Sequence, residues 1–167
     1  MYWLLSILSV FNFVTEFKDS NFEYLGYTAK YQNEAYTGMT YQFHPNKQLY
    51  KIQFFYDGKQ TLTEHRWYDN GVESTEIEFA NGLRHGQHRL WRPDGQVQYL
   101  KNFKHEKKHG EFWGWHPNGT VSNYHYFEND KQIIHKTFIS DGKPFHNYVF
   151  RDEKRVGLDG GQFCKTK

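Results

Sequence analysis

The chain repeats one pattern of apolar and polar positions every 24 residues from Gly38 onward. Three of the copies open with a glycine, and the full copies carry an aromatic residue five positions after the opening and close on a phenylalanine seventeen positions after it. The opening glycines are Gly38, Gly86 and Gly110, the first aromatics are Phe43, Trp67, Trp91 and Trp115, and the closing rings are Phe55, Phe79, Phe103 and Phe127. A fifth, shorter copy gives Phe138, Gly142 and Phe150. Such a period indicates an architecture in which each copy is one supersecondary unit.

A turn signal lies in the middle of each copy. The four-residue sequences are HPNK from His44, YDNG from Tyr68, RPDG from Arg92 and HPNG from His116. Proline presets φ at the first corner of a turn and Asp or Asn suits the second, while glycine takes the left-handed position that a three-residue loop requires. We therefore predict β-hairpins closed by three-residue loops that end at Gly95 and Gly119.

The same loops predict which side chains share a face. With a three-residue loop, Trp91 faces Val97, and strict alternation along the strands places Trp91, Val97 and Phe103 together. Trp115, Val121 and Phe127 repeat this arrangement. We therefore expect one aromatic face that holds the tryptophans together with their phenylalanine partners, and an opposite face that is mostly polar, as at Glu76.

Shorter turns rich in Gly, Asn and Lys connect each hairpin to the next, at YDGK, ANGL, HEKK and ENDK. Short connections between neighbouring strands favour an antiparallel meander. We predict an all-β fold, a single elongated, twisted antiparallel sheet of about ten strands built from tandem hairpins. The predicted repeat domain spans residues 31–157, with copies starting near 38, 62, 86, 110 and 133, and a flexible tail covers 158–167.

The sequences GQHRLWRPDGQVQYLKNF and GEFWGWHPNGTVSNYHYF resemble MORN-repeat variants of the kind found in YwqK-family proteins, which are described as antitoxins of toxin–antitoxin systems. AYTGMTYQFHPNKQLYKIQFF resembles the first copy of such arrays, and the resemblance covers about residues 31–150. Lys47 replaces a turn glycine and Leu62 an opening glycine, which weakens those two copies. The resemblance implies a non-enzymatic β-sheet that contacts a protein, such as a toxin, or membrane lipid.

The first residues differ in composition from the rest of the chain. Residues 1–14 carry no charge and are too few to span a bilayer as a helix, which takes about 20 apolar residues, and we assign residues 1–20 to an apolar N-terminal segment. The segment suits the apolar region of an export signal or an anchor, although a basic start and a small-residue cleavage site are missing. A buried first strand is the alternative, so an exported or envelope location and a cytoplasmic one both stay open.

Composition argues against several classes of function. The formal charge of +2 gives little of the phosphate attraction on which nucleic-acid binding depends. Cys164 is the only cysteine and lies in a glycine-rich terminus, and the serines lack a nucleophile motif. Equivalent histidines in adjacent copies lie two strands apart, about 9–10 Å, too far to share a zinc ion. We therefore predict no enzyme activity, no cofactor and no metal site.

Partner binding is the predicted function. We predict two aromatic patches on the face opposite the tryptophans, with Phe112 and Tyr124 as cross-strand partners, and the alternative is that a terminal segment folds over these rings. A basic turn, Lys104 to His109, adds a surface for an acidic partner or a lipid head group. The predicted partner-binding residues are Tyr50, Phe54, Phe112, Tyr124, Tyr126, Lys107 and Lys108.

Overall fold

A computed structural model describes residues 14–16, 21–159 and 162–163 of the chain. Every regular element in these ranges is a β-strand. Most of the predicted N-terminal segment lies outside the described residues, as do Cys164 and much of the predicted tail. The 24-residue copies lie within the described residues.

The chain divides after His85 into two compact units. The first unit holds β1 (Val14–Glu16), β2 (Phe22–Leu25), β3 (Thr28–Tyr31), β4 (Glu34–Ala35), β5 (Gly38–Phe43), β6 (Leu49–Tyr56), β7 (Lys59–Trp67) and β8 (Glu73–Ala80). The second holds most of β9 (Leu83–Trp91), then β10 (Val97–Lys104), β11 (Lys107–Lys108), β12 (Gly110–Trp115), β13 (Val121–Glu128), β14 (Lys131–Phe138), β15 (Pro144–Arg151), β16 (Lys154–Asp159) and β17 (Gln162–Phe163).

Most successive strands within each unit pair antiparallel, so the predicted all-β meander of tandem hairpins is confirmed. The repeat hairpins are β5–β6 and β7–β8 in the first unit, and β9–β10, β12–β13 and β14–β15 in the second. One pairing departs from the antiparallel pattern, because β1 runs parallel to β5, with Val14 opposite Met39.

The predicted three-residue loops are also confirmed. Arg92 donates its N–H to the carbonyl of Gln96 at 2.8 Å, and Gly95 donates to the carbonyl of Arg92 at 2.9 Å. The Asp94 carboxylate accepts a hydrogen bond from the N–H of Gln96 at 2.9 Å, and this bond within the loop stabilises the turn. The same three bonds recur in the loops at 45–47, 69–71, 117–119 and 140–142. The last loop residue is left-handed throughout, with a φ of 82° at Gly119 and 67° at Lys47.

Each repeat hairpin contains a one-residue β-bulge just after its turn. In β12–β13, Gly114 pairs with Asn123 and Trp115 with Val121, so Ser122 is the extra residue. An inserted residue sends the rest of its strand to the other face. The other hairpins have the extra residue at Tyr50, Ser74, Gln98 and Phe145.

The bulge overturns the predicted common aromatic face. In β12, Phe112 alternates with Trp113, and Phe112 packs against Phe103 and Phe127 with ring centroids 5.6 and 4.8 Å away. The closing phenylalanines of the second unit therefore lie opposite its tryptophans. We call the side that carries Phe103, Phe112 and Phe127 the Phe face, and the side that carries Trp113 and Trp115 the Trp face. The three phenylalanines are buried and form the core cluster.

The first unit buries Phe55, Ile77 and Phe79. Its β2–β3 hairpin packs on these rings, with Tyr24 6.1 Å from Phe55 and Tyr27 4.8 Å from Phe79 between ring centroids. This hairpin therefore covers closing phenylalanines, which are not the rings that the alternative interpretation named. On the other side of this unit, His65 stacks on Trp67 and pairs with Glu76, so Glu76 shares the tryptophan side, contrary to the prediction.

Candidate interaction surface

A straight row of side chains crosses the Trp face of the second unit. Leu100 pairs directly with Trp113, Trp113 with Tyr124, and Tyr124 with Lys136. Arg89 and Asn147 extend the row at its two ends. Directly paired residues point to the same side of a sheet, so the row is continuous from β9 to β15.

The centre of the row combines aromatic rings with a cation. Trp113 and Tyr124 have ring centroids 4.3 Å apart. The Lys136 ammonium lies 5.9 Å from the centroid of the Tyr124 ring, within the range of a cation–π interaction. The Glu111 carboxylate accepts from the Trp113 indole N–H at 3.2 Å and from the Tyr124 hydroxyl at 3.4 Å. Burial, followed by the charge and hydrogen bond of Glu111, raises the pKa of Tyr124, so its hydroxyl remains a donor.

Two cavities open along this row. The larger, of about 550 Å³, is lined by Arg89, Gln96, Val97, Leu100, Trp115 and Gly119. The smaller, of about 340 Å³, is lined by Trp113, Val121, Tyr124, Lys136, Phe138 and Gly142. Most residues that line the smaller cavity occupy the same repeat positions as residues that line the larger one. Val121 follows Val97 by 24 residues, and Tyr124 follows Leu100 by 24 residues. The repeat therefore builds the same kind of cavity twice.

Hydrogen bonds from one turn to the next hold the walls of both cavities. Arg92 donates from Nη2 to the carbonyl oxygen of Trp115 at 2.5 Å. One copy later, His116 donates from Nε2 to the carbonyl oxygen of Phe138 at 2.8 Å. In the first unit, His44 makes the equivalent bond to Trp67 at 2.8 Å. The recurring histidines His44 and His116 thus link neighbouring hairpins.

The Phe face carries a row of histidines that the sequence analysis did not identify. His125 pairs with His135 across β13 and β14, with ring centroids 4.6 Å apart, and His146 lies 5.6 Å from His135. Gln132 donates from Nε2 to Nδ1 of His125 at 2.9 Å and contacts Nδ1 of His135 at 3.2 Å. Burial, the neighbouring His135 and Lys108 lower the pKa of His125 to about 4. The folded protein therefore favours the neutral imidazole of His125.

The first unit contains a buried polar cluster around Glu64, whose side chain is 1% exposed. Its carboxylate accepts from Gln53 at 2.9 Å and Gln60 at 2.6 Å, and it is also bonded to the Arg66 guanidinium. Both carboxylate oxygens are used within the protein. We assign this cluster a role in the packing of the unit.

The predicted partner-binding residues separate onto different surfaces. Tyr124 and Tyr126 lie on the Trp face, contrary to the prediction that they lie opposite the tryptophans, because Tyr124 pairs with Trp113 and Tyr126 follows by two positions. The predicted pairing of Phe112 with Tyr124 was wrong, since Phe112 pairs with His125 and is 7% exposed on the Phe face. The bulge at Ser122 is the reason, because it shifts the pairing of all later β13 residues with β12 by one position.

The remaining predicted residues lie elsewhere. Tyr50 is the bulge residue of β6 and packs its ring 4.9 Å from His44. Phe54 pairs with Met39 in the same hairpin. Lys107 is exposed at the start of β11, directly after a two-residue turn, and the Lys108 ammonium lies 5.1 Å from the centroid of Phe127. These four residues do not join the row on the Trp face.

The row residues Arg89, Leu100, Trp113 and Lys136 were missed from sequence. These residues belong to no turn sequence or motif, and they share a face only because of the bulges at Gln98 and Ser122. The spacing itself contains the signal, since Leu100 and Tyr124 share a repeat position. Superimposing the copies with one residue skipped after each turn would have found the row.

Comparisons with known proteins give no assignment. No protein-family model matches the chain, and no curated protein matches it. Among the described residues, no group of three or more His, Cys, Asp or Glu side chains is placed to hold a metal ion. Within the same part of the chain, no helix is long and apolar enough to cross a membrane.

Proposed function

We propose that this protein is a non-enzymatic, repeat-built interaction protein that binds a protein partner through the Trp face of its second unit. The observation that supports this function most directly is the pair of repeat-equivalent cavities along one aromatic row. Aromatic and Arg side chains are enriched at the centres of protein interfaces, because they bury large areas and still offer polar contacts.

The composition of the row suits contact between proteins. Trp113 and Tyr124 hold one another at ring-centroid distance 4.3 Å, and Glu111 fixes both of their polar groups. Side chains held in this way lose little further freedom when a partner binds, which lowers the entropic cost of association. The resemblance to YwqK-family proteins makes a toxin the partner to test first, with the protein acting by covering the toxin's surface.

Affinity capture with the full chain tests this function. Wild-type protein and the Tyr124→Ala variant would be immobilised, and each captured protein would be identified and its binding repeated with purified components. Phe145→Ala is the matched control, because this ring is 47% exposed and lies outside both cavities. We expect a partner that binds wild type and the control but binds Tyr124→Ala at least tenfold more weakly. A purified partner that binds all three proteins equally would overturn the assignment of the Trp face.

A further inference from the structure

The two cavities on the Trp face are separated by a distance that the pairing register fixes. Leu100 and Tyr124 occupy equivalent places, and each pairs directly with Trp113, which lies between them. Equivalent positions therefore lie two strands apart without stagger along the strands. Strands are spaced about 4.8 Å apart, so the cavities repeat at about 9.6 Å in a direction across the strands.

Peptide conformations differ in how well they match this spacing. An extended strand returns a side chain to the same side about every 6.8 Å. Two turns of an α-helix advance about 10.8 Å. A polyproline II helix has three residues per turn and rises about 3.1 Å per residue, so every third side chain recurs at about 9.3 Å. This last repeat is the closest match to the cavities.

The lining of the cavities suits the same conformation. Proline-rich segments in the polyproline II conformation bind grooves lined by aromatic side chains, because these segments are already ordered before they bind. The larger cavity offers Trp115, and the smaller offers Trp113, Tyr124 and Phe138. The carbonyl groups of a polyproline II backbone have no internal hydrogen-bond partners, so they can accept hydrogen bonds from donors on the Trp face.

The charges along the row favour some proline-rich segments over others. Each cavity is lined by one cationic side chain, Arg89 in the larger and Lys136 in the smaller, and neither described lining set contains an acidic residue. The nearby carboxylate of Glu111 is already bonded to Trp113 and Tyr124. Charge complementarity therefore favours a partner segment with Asp or Glu beside its prolines.

We propose that the Trp face binds an acidic, proline-rich segment in the polyproline II conformation, which runs across the strands and places one side chain of every three in successive cavities. This inference rests on the proposed function, because it names the class of partner for the same surface. The segment would extend along the row from Arg89 toward Lys136.

Fluorescence anisotropy with the full chain and labelled peptides tests the proposal. The probe is a peptide of about twelve residues made of four Glu-Pro-Ala triplets, which spans about 37 Å as polyproline II. Three comparison peptides keep its length: one has the same composition with irregularly spaced prolines, one has Lys in place of Glu, and one is a helix-forming peptide of Ala and Glu without proline. We expect the probe to bind at least tenfold more tightly than each of the three.

Protein variants show whether binding uses the row. Tyr124→Ala should weaken the probe at least tenfold, and Phe145→Ala should leave it unchanged. Lys136→Glu should weaken the acidic probe and strengthen the Lys peptide, which a merely destabilised protein would not do. Far-UV circular dichroism of each variant confirms that it remains folded during the measurement.

The outcomes separate this inference from the proposed function. Equal or tighter binding of the helix-forming peptide, or probe binding that Tyr124→Ala does not affect, would overturn the polyproline II assignment. If a purified protein partner depends on Tyr124 while no proline-rich peptide binds, the proposed function stands and the inference fails. If neither partner nor peptide depends on Tyr124, both fail.

Discussion

His116 hydrogen-bonds through Nε2 to the main-chain carbonyl oxygen of Phe138, 2.8 Å away in the next hairpin. Arg92 makes the equivalent bond to the carbonyl of Trp115 one copy earlier. Two different side chains therefore perform the same task at one repeat position, and in both copies the bond joins neighbouring turns beside a cavity.

His116→Ala should lower the free energy of unfolding by about 1 kcal/mol, because it leaves the Phe138 carbonyl without this donor. His116→Arg should restore most of that loss, since Arg92 shows that a guanidinium can reach the same carbonyl. Urea unfolding measures both, with the exposed Lys131→Ala as a control. An equal loss in the Ala and Arg variants would contradict a role for the hydrogen bond.

Lys47→Gly should stabilise the protein by about 0.5–1 kcal/mol, because Lys47 occupies a left-handed conformation with a φ of 67°. The converse change, Gly119→Ala, should destabilise by about 1 kcal/mol. A Cβ at Gly119 would meet no atom within 4 Å, so that cost reports backbone conformation alone. Urea unfolding of both variants should give shifts of opposite sign, and a loss in Lys47→Gly would refute the explanation.

Phe112→Ala should cost about 3 kcal/mol, whereas Trp113→Ala should cost about 1 kcal/mol, although the two residues are adjacent. Phe112 is 7% exposed within the core cluster, while Trp113 is only partly buried on the Trp face. Thermal and urea unfolding measure the difference. Similar losses at the two positions would mean that the Phe face does not hold the core of the second unit.

Stability should fall as the pH falls from about 6.5 towards 4, with His125 as a principal cause. Burial, His135 and Lys108 lower its pKa from 6.5 to about 4 in the folded protein. Between these values the unfolded chain binds a proton that the folded protein does not, so acid favours unfolding.

His125→Gln removes this titration and should lose less stability than wild type between pH 7 and pH 5, as measured by urea unfolding at each pH. The exposed His105→Asn, which also suits the positive φ at that turn, is the control and should keep the wild-type dependence on pH. Parallel profiles for wild type and His125→Gln would show that His125 does not set the acid sensitivity.

The turns of this fold could be predicted because their chemistry is local. The sequences RPDG and HPNG specify three-residue loops through the φ of proline, the side-chain acceptor of Asp or Asn, and the left-handed glycine. The assignment of faces failed because a bulge is set by pairing between strands. Gln98 and Ser122 carry no signal that distinguishes a bulge residue from an ordinary strand residue.

The candidate site was predictable only in part for the same reason. Tyr124 and Tyr126 were predicted as contact residues because they are aromatic positions on a face expected to be polar, although they lie on the Trp face. Trp113 and Lys136 become their neighbours only when the register after the bulge is known. The contact between His125 and His135 also needed the structure, because it joins residues from different copies at different repeat positions.

The unstaggered pairing of Leu100, Trp113 and Tyr124 makes this surface extendable. A gene duplication of one 24-residue copy would lengthen the Trp face by about 9.6 Å and leave the existing strand pairs unchanged. Whole copies can therefore be added to this face without disturbing those already present, and under the proposed function each added copy would raise the avidity for a longer ligand.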